Sequence, residues 1–138
     1  MDKIFINCDG GSRGNPGPAA SAFVAKDIDN NLLYREGKFL GNNTNNKAEY
    51  EAVIMALEWV AKTNAKQEVV FSLDSQLVVK QVKGEFQIKD AGLQEKARKI
   101  HELIKTNTLN IKTFLYVPRS VNYEADALVN ETLDQNIF

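Results

Sequence analysis

Four acids in the 138-residue chain stand where a carboxylate has chemistry to do: Asp9, Glu49, Asp74 and Asp126. Asp9 follows the apolar run Lys3 to Cys8, and Asp74 follows the β-branched and aromatic run Glu68 to Leu73. An acid at the end of a buried strand costs desolvation unless something pairs with it. If the two strands are parallel neighbours, both acids lie side by side at the carboxyl edge of a sheet, where open α/β sheets bind ligands. Glu49 lies four, seven and eleven residues before Val53, Ala56 and Val60, so it continues a helical stripe that faces the sheet. Converging acids repel one another unless cations bind among them. With one histidine, His101, and one cysteine, Cys8, zinc is not expected, whereas oxygen-only ligands suit Mg²⁺ or Mn²⁺.

Each acid also has a purely structural reading. Glu49 follows Asn46 by three residues, as in a capping box. Asp74 precedes a helix and can cap it, Asp126 in a first helical turn favours the dipole, and Asp9 can serve a turn. Singly, these readings stand beside the metal one. Four acids at one predicted edge are much harder to explain that way.

Bringing the acids together requires a definite order of elements. Lys3 to Cys8, Ser21 to Asp27 and Asn31 to Phe39 read as strands, the last two joined by the turn chemistry of "DIDNN" into an antiparallel meander. From Asn46 the apolar period becomes helical, and the helix ends in "KTNAK". Glu68 to Leu73 is a buried strand that a right-handed crossover places parallel to a neighbour. Ser75 to Val82 is a short helix and Leu93 to Lys105 an amphipathic one. Ile111 to Val117 is a strand closed by Pro118, and Val121 to Asp134 is a last helix. The fold class is α/β, with a mixed five-stranded sheet of three antiparallel then two parallel strands flanked by helices, in one domain over residues 1–138.

Bulk properties agree with that size: at 43% apolar, the chain can bury one core. It has no apolar run of membrane-spanning length, and its start lacks a positive region followed by a long apolar one. A lone cysteine fits a reducing compartment, so a soluble, cytoplasmic protein with no membrane partner is expected. The net charge of −1 argues against strong non-specific nucleic-acid binding. Residues 76–105 nevertheless hold seven Lys or Arg against four acids, leaving ten against fourteen elsewhere. A solvated helix face accounts for such a segment as readily as a binding surface does.

Four blocks, "CDGGSRGNPGPAA", "TNNKAEYEAV", "SLDSQLVVKQV" and "VPRSVNYEADALVNETL", in this order and at these distances, resemble the type 1 ribonuclease H family. The resemblance runs from about Lys3 to Leu133. It implies a ribonuclease H-like fold and an endonuclease, expected to be a monomer, that cuts the RNA strand of an RNA/DNA hybrid, leaving 5′-phosphate and 3′-hydroxyl ends. It implies two Mg²⁺ ions per site, replaceable by Mn²⁺, held by Asp9, Glu49, Asp74 and Asp126 with Gly10 beside them. Gly10 and Gly11 would let backbone approach the RNA 2′-hydroxyl. Ser12, Asn15, Thr44, Asn45, Gln76 and Asn122 resemble substrate contacts, and Ser75 follows the third acid as in the family. Turn and cap chemistry stays open for these polar residues.

Two departures stand out. The loop before the last acid, where bacterial members often carry a histidine, reads "PRSVNYEAD" with Arg119, which holds its proton at neutral pH but can draw a phosphate. The segment "KGEFQIKDAGL" is short where many members carry a basic protrusion, leaving Lys80, Lys83, Phe86 and Lys89 to grip a DNA strand. The alternatives are a nuclease of the same fold acting on double-stranded RNA or branched DNA, and a non-catalytic hybrid-binding module. The presence of all four acids argues against the module, and the first two blocks argue against resolvase- or integrase-like enzymes.

Overall fold

The computed structural model describes residues 3–137 and consists of nine elements in the order expected. They are β1 (Lys3–Ser12), β2 (Gly17–Lys26), β3 (Leu32–Asn43), α1 (Asn45–Lys62), β4 (Glu68–Leu73), α2 (Gln76–Val82), α3 (Ala91–Thr106), β5 (Ile111–Tyr116) and α4 (Tyr123–Asn136). The sheet order is β3-β2-β1-β4-β5, antiparallel across the first three strands and parallel from β1 to β4 and β4 to β5. The mixed sheet expected from the sequence is therefore present.

The alternation of β1 divides the molecule. Ile4, Ile6 and Cys8 face a core with Val53, Ala56, Leu57 and Val60 of α1, and Phe71 and Leu73 of β4. Filling a helix stripe with such residues stabilises the domain by roughly 1.5–3 kcal/mol per large side chain. The opposite face of β2, Ala20, Ala22 and Val24, packs on Ala125, Leu128, Val129 and Leu133 of α4. At the far end of α1, Trp59 stacks on Tyr34 of β3, with centroids 5.6 Å apart and planes 6° apart, and Phe23 sits beside both.

Three strands run further than the sequence suggested, among them β3, which continues past Phe39 to Asn43. β1 continues through Asp9, Gly10 and Gly11 to Ser12, paired with β2 as far as Ser12↔Ala19. The two glycines thus belong to a strand, not a flexible turn; the turn is Arg13 to Pro16. β2 begins at Gly17 and Pro18, because Pro18 lies beyond the β1 ladder and its missing N–H is not needed there. The caps differ as well. Thr44 Oγ1 caps α1 by accepting from the Lys47 N–H at 3.2 Å, so Asn46 and Glu49 form no capping box. Ser75 Oγ caps α2 through the Val78 N–H, which takes the cap role from Asp74. Asp90, not Leu93, marks the entry to α3.

Candidate active site

The parallel ladder between β1 and β4 ends at Cys8↔Leu73. Asp9 and Asp74 are the next residues on the two strands, so the edge geometry expected from sequence holds. β1 leaves β4 at this point and runs on with β2 alone, which opens a cleft beside Asp9.

Glu49 is brought to that cleft by an unusually close contact between α1 and the sheet. Gly10 lies against the backbone of Ala48 and Glu49 so tightly that a Cβ there would overlap the Ala48 carbonyl group. Ser21, the register partner of Gly10, is fully buried and donates its hydroxyl to the Ala48 carbonyl at 2.5 Å. Gly10 is therefore required by helix packing, which the sequence reading assigned to nucleic-acid approach. Gly11 is the roomier position, where a Cβ would come no nearer than 3.9 Å to Val129. Asp126 enters from the first turn of α4.

The four acids, with Gly10, Gly11, Ser12, Asn45 and Arg119, line an open cleft of about 650 Å³. Asp9 is buried, whereas Glu49, Asp74 and Asp126 are half-buried. Burial, then the Asp74 charge, with smaller contributions from Asp126 and Glu49, pushes the Asp9 carboxyl up to about 8 against one hydrogen bond from the Gly10 backbone. Burial and Asp74 push Glu49 up to about 7, opposed by the Ser75 hydroxyl and the Arg119 guanidinium. The cleft thus favours positive charge. Among the described residues no three acids, histidines or cysteines close on a single point, in keeping with like charges that repel. An all-oxygen, solvent-reachable donor set with raised carboxyl pKa values fits hard divalent cations such as Mg²⁺.

The other expected contacts divide. Asn15 Oδ1 accepts from the Asn45 N–H at 3.0 Å, and Asn45 Oδ1 accepts from the Ser12 N–H at 2.8 Å and the Ser12 hydroxyl at 3.0 Å. With the Thr44 cap, these bonds staple the β1–β2 turn to the start of α1. Asn122 is fully buried and bonded within the protein, which removes it from direct substrate contact. Gln76, Lys83, Phe86 and Lys89 lie outside the cleft wall. Lys83 pairs with Glu85 at 3.2 Å, and Lys80 covers the half-exposed Phe86 ring at 4.8 Å.

The wall also holds residues that the sequence reading did not place at the site. Asn46 and Asn130 line it, and so does Arg13, which crosses to α4 and pairs with Asp134 at 2.7 Å. Asn46 was in plain view inside "TNNKAE"; nothing in the spacing of Arg13 or Asn130 marked them.

A family model described as "Reverse transcriptase-like" matches residues 7–132. Ribonuclease HI of Halobacterium salinarum is 41% identical over 132 residues, covering 96% of this chain and 65% of that protein. The chain spans less than two-thirds of the length of the curated relatives it matches first. Among solved structures, LC11-RNase H1, isolated from compost by a metagenomic approach, superposes with a TM-score of 0.94 at 41% identity over 100% of both chains. LC11-RNase H1 in complex with an RNA/DNA hybrid matches with a TM-score of 0.93 at 39% identity, over 98% of this chain and 99% of that one.

Proposed function

The chain belongs to the type 1 ribonuclease H family, and from that premise we propose that it hydrolyses the RNA strand of RNA/DNA hybrids, leaving 5′-phosphate and 3′-hydroxyl ends. The observation that carries this reading is the convergence of Asp9 of β1, Glu49 of α1, Asp74 just past β4 and Asp126 of α4 in a cleft whose burial and repulsion raise two of their pKa values. The complex of LC11-RNase H1 with a hybrid supports the substrate class.

Asp9, Glu49, Asp74 and Asp126 would hold two Mg²⁺ ions, for which Mn²⁺ can substitute. When bound, such ions supply an activated water and charge stabilisation for the leaving 3′ oxygen. The protein's own groups do the rest. Gly11 and Ser12, on the open stretch of β1, present backbone to the sugar edge of the RNA strand, where a 2′-hydroxyl distinguishes RNA from DNA. Asn45, fixed by Ser12 and Asn15, keeps the N-terminus of α1 against the cleft, where the positive end of the helix dipole favours an anionic phosphate. Arg119, whose guanidinium lines the cleft, draws the phosphate towards it.

The test is cleavage of uniformly labelled RNA/DNA, RNA/RNA and DNA/DNA duplexes, in Mg²⁺ and in chelator. Cutting of the hybrid's RNA strand alone, and only with metal, is expected. Hybrid binding without cutting would favour the non-catalytic module, and cutting of RNA/RNA would widen the substrate class.

A further inference from the structure

Behind the cleft lies a pair of amides that the proposed reaction does not use directly. Asn7 pairs with Val24 and Asp9 with Ala22, which puts both on the face of β1 that looks towards α4, opposite Ile6 and Cys8. Asn7 Nδ2 donates to Asn122 Oδ1 at 3.0 Å. Asn122 Nδ2 in turn donates to the Cys8 carbonyl at 2.8 Å and to Asp74 Oδ2 at 3.3 Å.

The buried Asn122 amide can lie only one way round. A carbonyl and a carboxylate accept and do not donate, so the NH₂ end must face them, leaving Oδ1 to be met by a donor. Asn7 is that donor. Asn122 also stands at the N-cap of α4 yet makes no cap bond with its side chain, so its amide serves β1 and Asp74 instead of its own helix. Its backbone carbonyl accepts from the Asp126 N–H at 3.1 Å. One residue thereby touches the segments that carry Asp9, Asp74 and Asp126.

We propose that Asn7 is a positioning residue for the cleft. By holding the Asn122 amide in its productive orientation, it fixes the Asp74 carboxylate relative to Asp9 and Asp126, and with it the affinity of the cleft for divalent cations. The proposal rests on the reading of the cleft given above. Asn7 is half-buried beside a hollow lined by Phe5, Ser72, Val121 and Tyr123, so a substituted side chain has space.

The test compares wild type, Asn7→Leu, Asn122→Ala and the double variant, with Asn7→Asp as a variant that keeps the shape and replaces the donor by an acceptor. Mg²⁺ affinity is measured by calorimetry without substrate, and kcat and KM on a hybrid separately. Loss of an outer partner of a metal ligand typically costs about tenfold or more; Asn122 is that partner, so Asn122→Ala should lose about that in Mg²⁺ affinity and kcat, and Asn7→Leu, acting through it, a several-fold share of the same loss, with KM unchanged. Asn7→Asp should lose at least as much. In the Asn122→Ala background, Asn7→Leu should cost nothing further, because its effect passes through that amide. Wild-type affinity in both Asn7 variants would overturn the proposal. So would an equal loss in both backgrounds, or activity that falls only in step with melting temperature. A wild type that binds Mg²⁺ without cutting hybrids would refute the cleavage reading alone, since affinity still decides the role of Asn7.

Discussion

At the cleft, each acid is held from behind: Asp9 by its place in β1, Glu49 by the seating of Ala48 on Gly10 and Ser21, Asp74 by the Asn122 amide and Asp126 by the first turn of α4. Between α2 and α3, Lys83, Phe86 and Lys89 are exposed, and the partners seen for the first two, Glu85 and Lys80, are surface groups. The first region gathers four acids along one cleft wall and raises the pKa values of two of them. The second holds its cations only through exposed partners, Glu85 for Lys83 at 3.2 Å. The two regions thus differ in how firmly their charged groups are held.

The contrast breaks most visibly at Asp9. Asp9→Asn should abolish cleavage while leaving hybrid binding in place, because binding relies on phosphate and sugar contacts. Turnover above about a tenth of wild type, a loss below roughly 1.4 kcal/mol, would take Asp9 out of the central ligands. Next comes Gly10→Ala, which forces α1 off the sheet. A destabilisation of about 3 kcal/mol in a denaturant melt is expected, at the upper end for overpacking; a melt like wild type would show that α1 tolerates the shift and that Glu49 is not tightly placed.

A third expectation concerns pH. Native Asp9 and Glu49 hold protons up to about 8 and about 7, far above their ordinary range near 4. Between the ordinary value near 4 and these raised values the folded chain binds more protons than the unfolded one, so these two groups make stability in chelator fall as pH rises from about 4 to about 8. Thermal melts across that range check the sign, and Asp9→Asn should flatten the slope. Smaller again is the separation of Asp74 from Ser75. Asp74→Asn removes one repelling charge and should raise the melting temperature in chelator, whereas Ser75→Ala loses the α2 cap and about 1 kcal/mol. If both lower it equally, Asp74 is structural. The smallest effect belongs to the grip: Lys83→Ala with Lys89→Ala should raise KM a few-fold at low salt and flatten its salt dependence, with kcat unchanged. An unchanged KM at low and high salt would place the DNA-strand contact elsewhere.

What the sequence disclosed follows the same division. Asp126 came from its place at the start of the last helix. Strand alternation and the helical stripe of α1 located the sheet edge and Asp9, Asp74 and Glu49, because burial imposes a period on the chain. Hydrogen bonds impose none. Cap assignments at Asn46 and Asp74 therefore missed Thr44 and Ser75, each one or two residues away and equally able to cap. The extension of β1 through "DGGS" was hidden because glycine signals a turn as readily as it signals close packing, and only the Ala48 backbone decides between them. Asn122 looked like a cap or a substrate contact; its partner Asn7 carries no local signal, since the bond spans 115 positions.

Trp59, the chain's single tryptophan, gives these melts a built-in optical probe. It stacks on Tyr34 ten residues beyond Glu49 along α1, about 15 Å at 1.5 Å per residue. Its emission should therefore follow separation of α1 from β3 and remain quiet to charge changes among the carboxylates. Fluorescence and calorimetry would then read different ends of one helix, and a variant in which the two disagree would reveal a cleft that loosens before the domain melts.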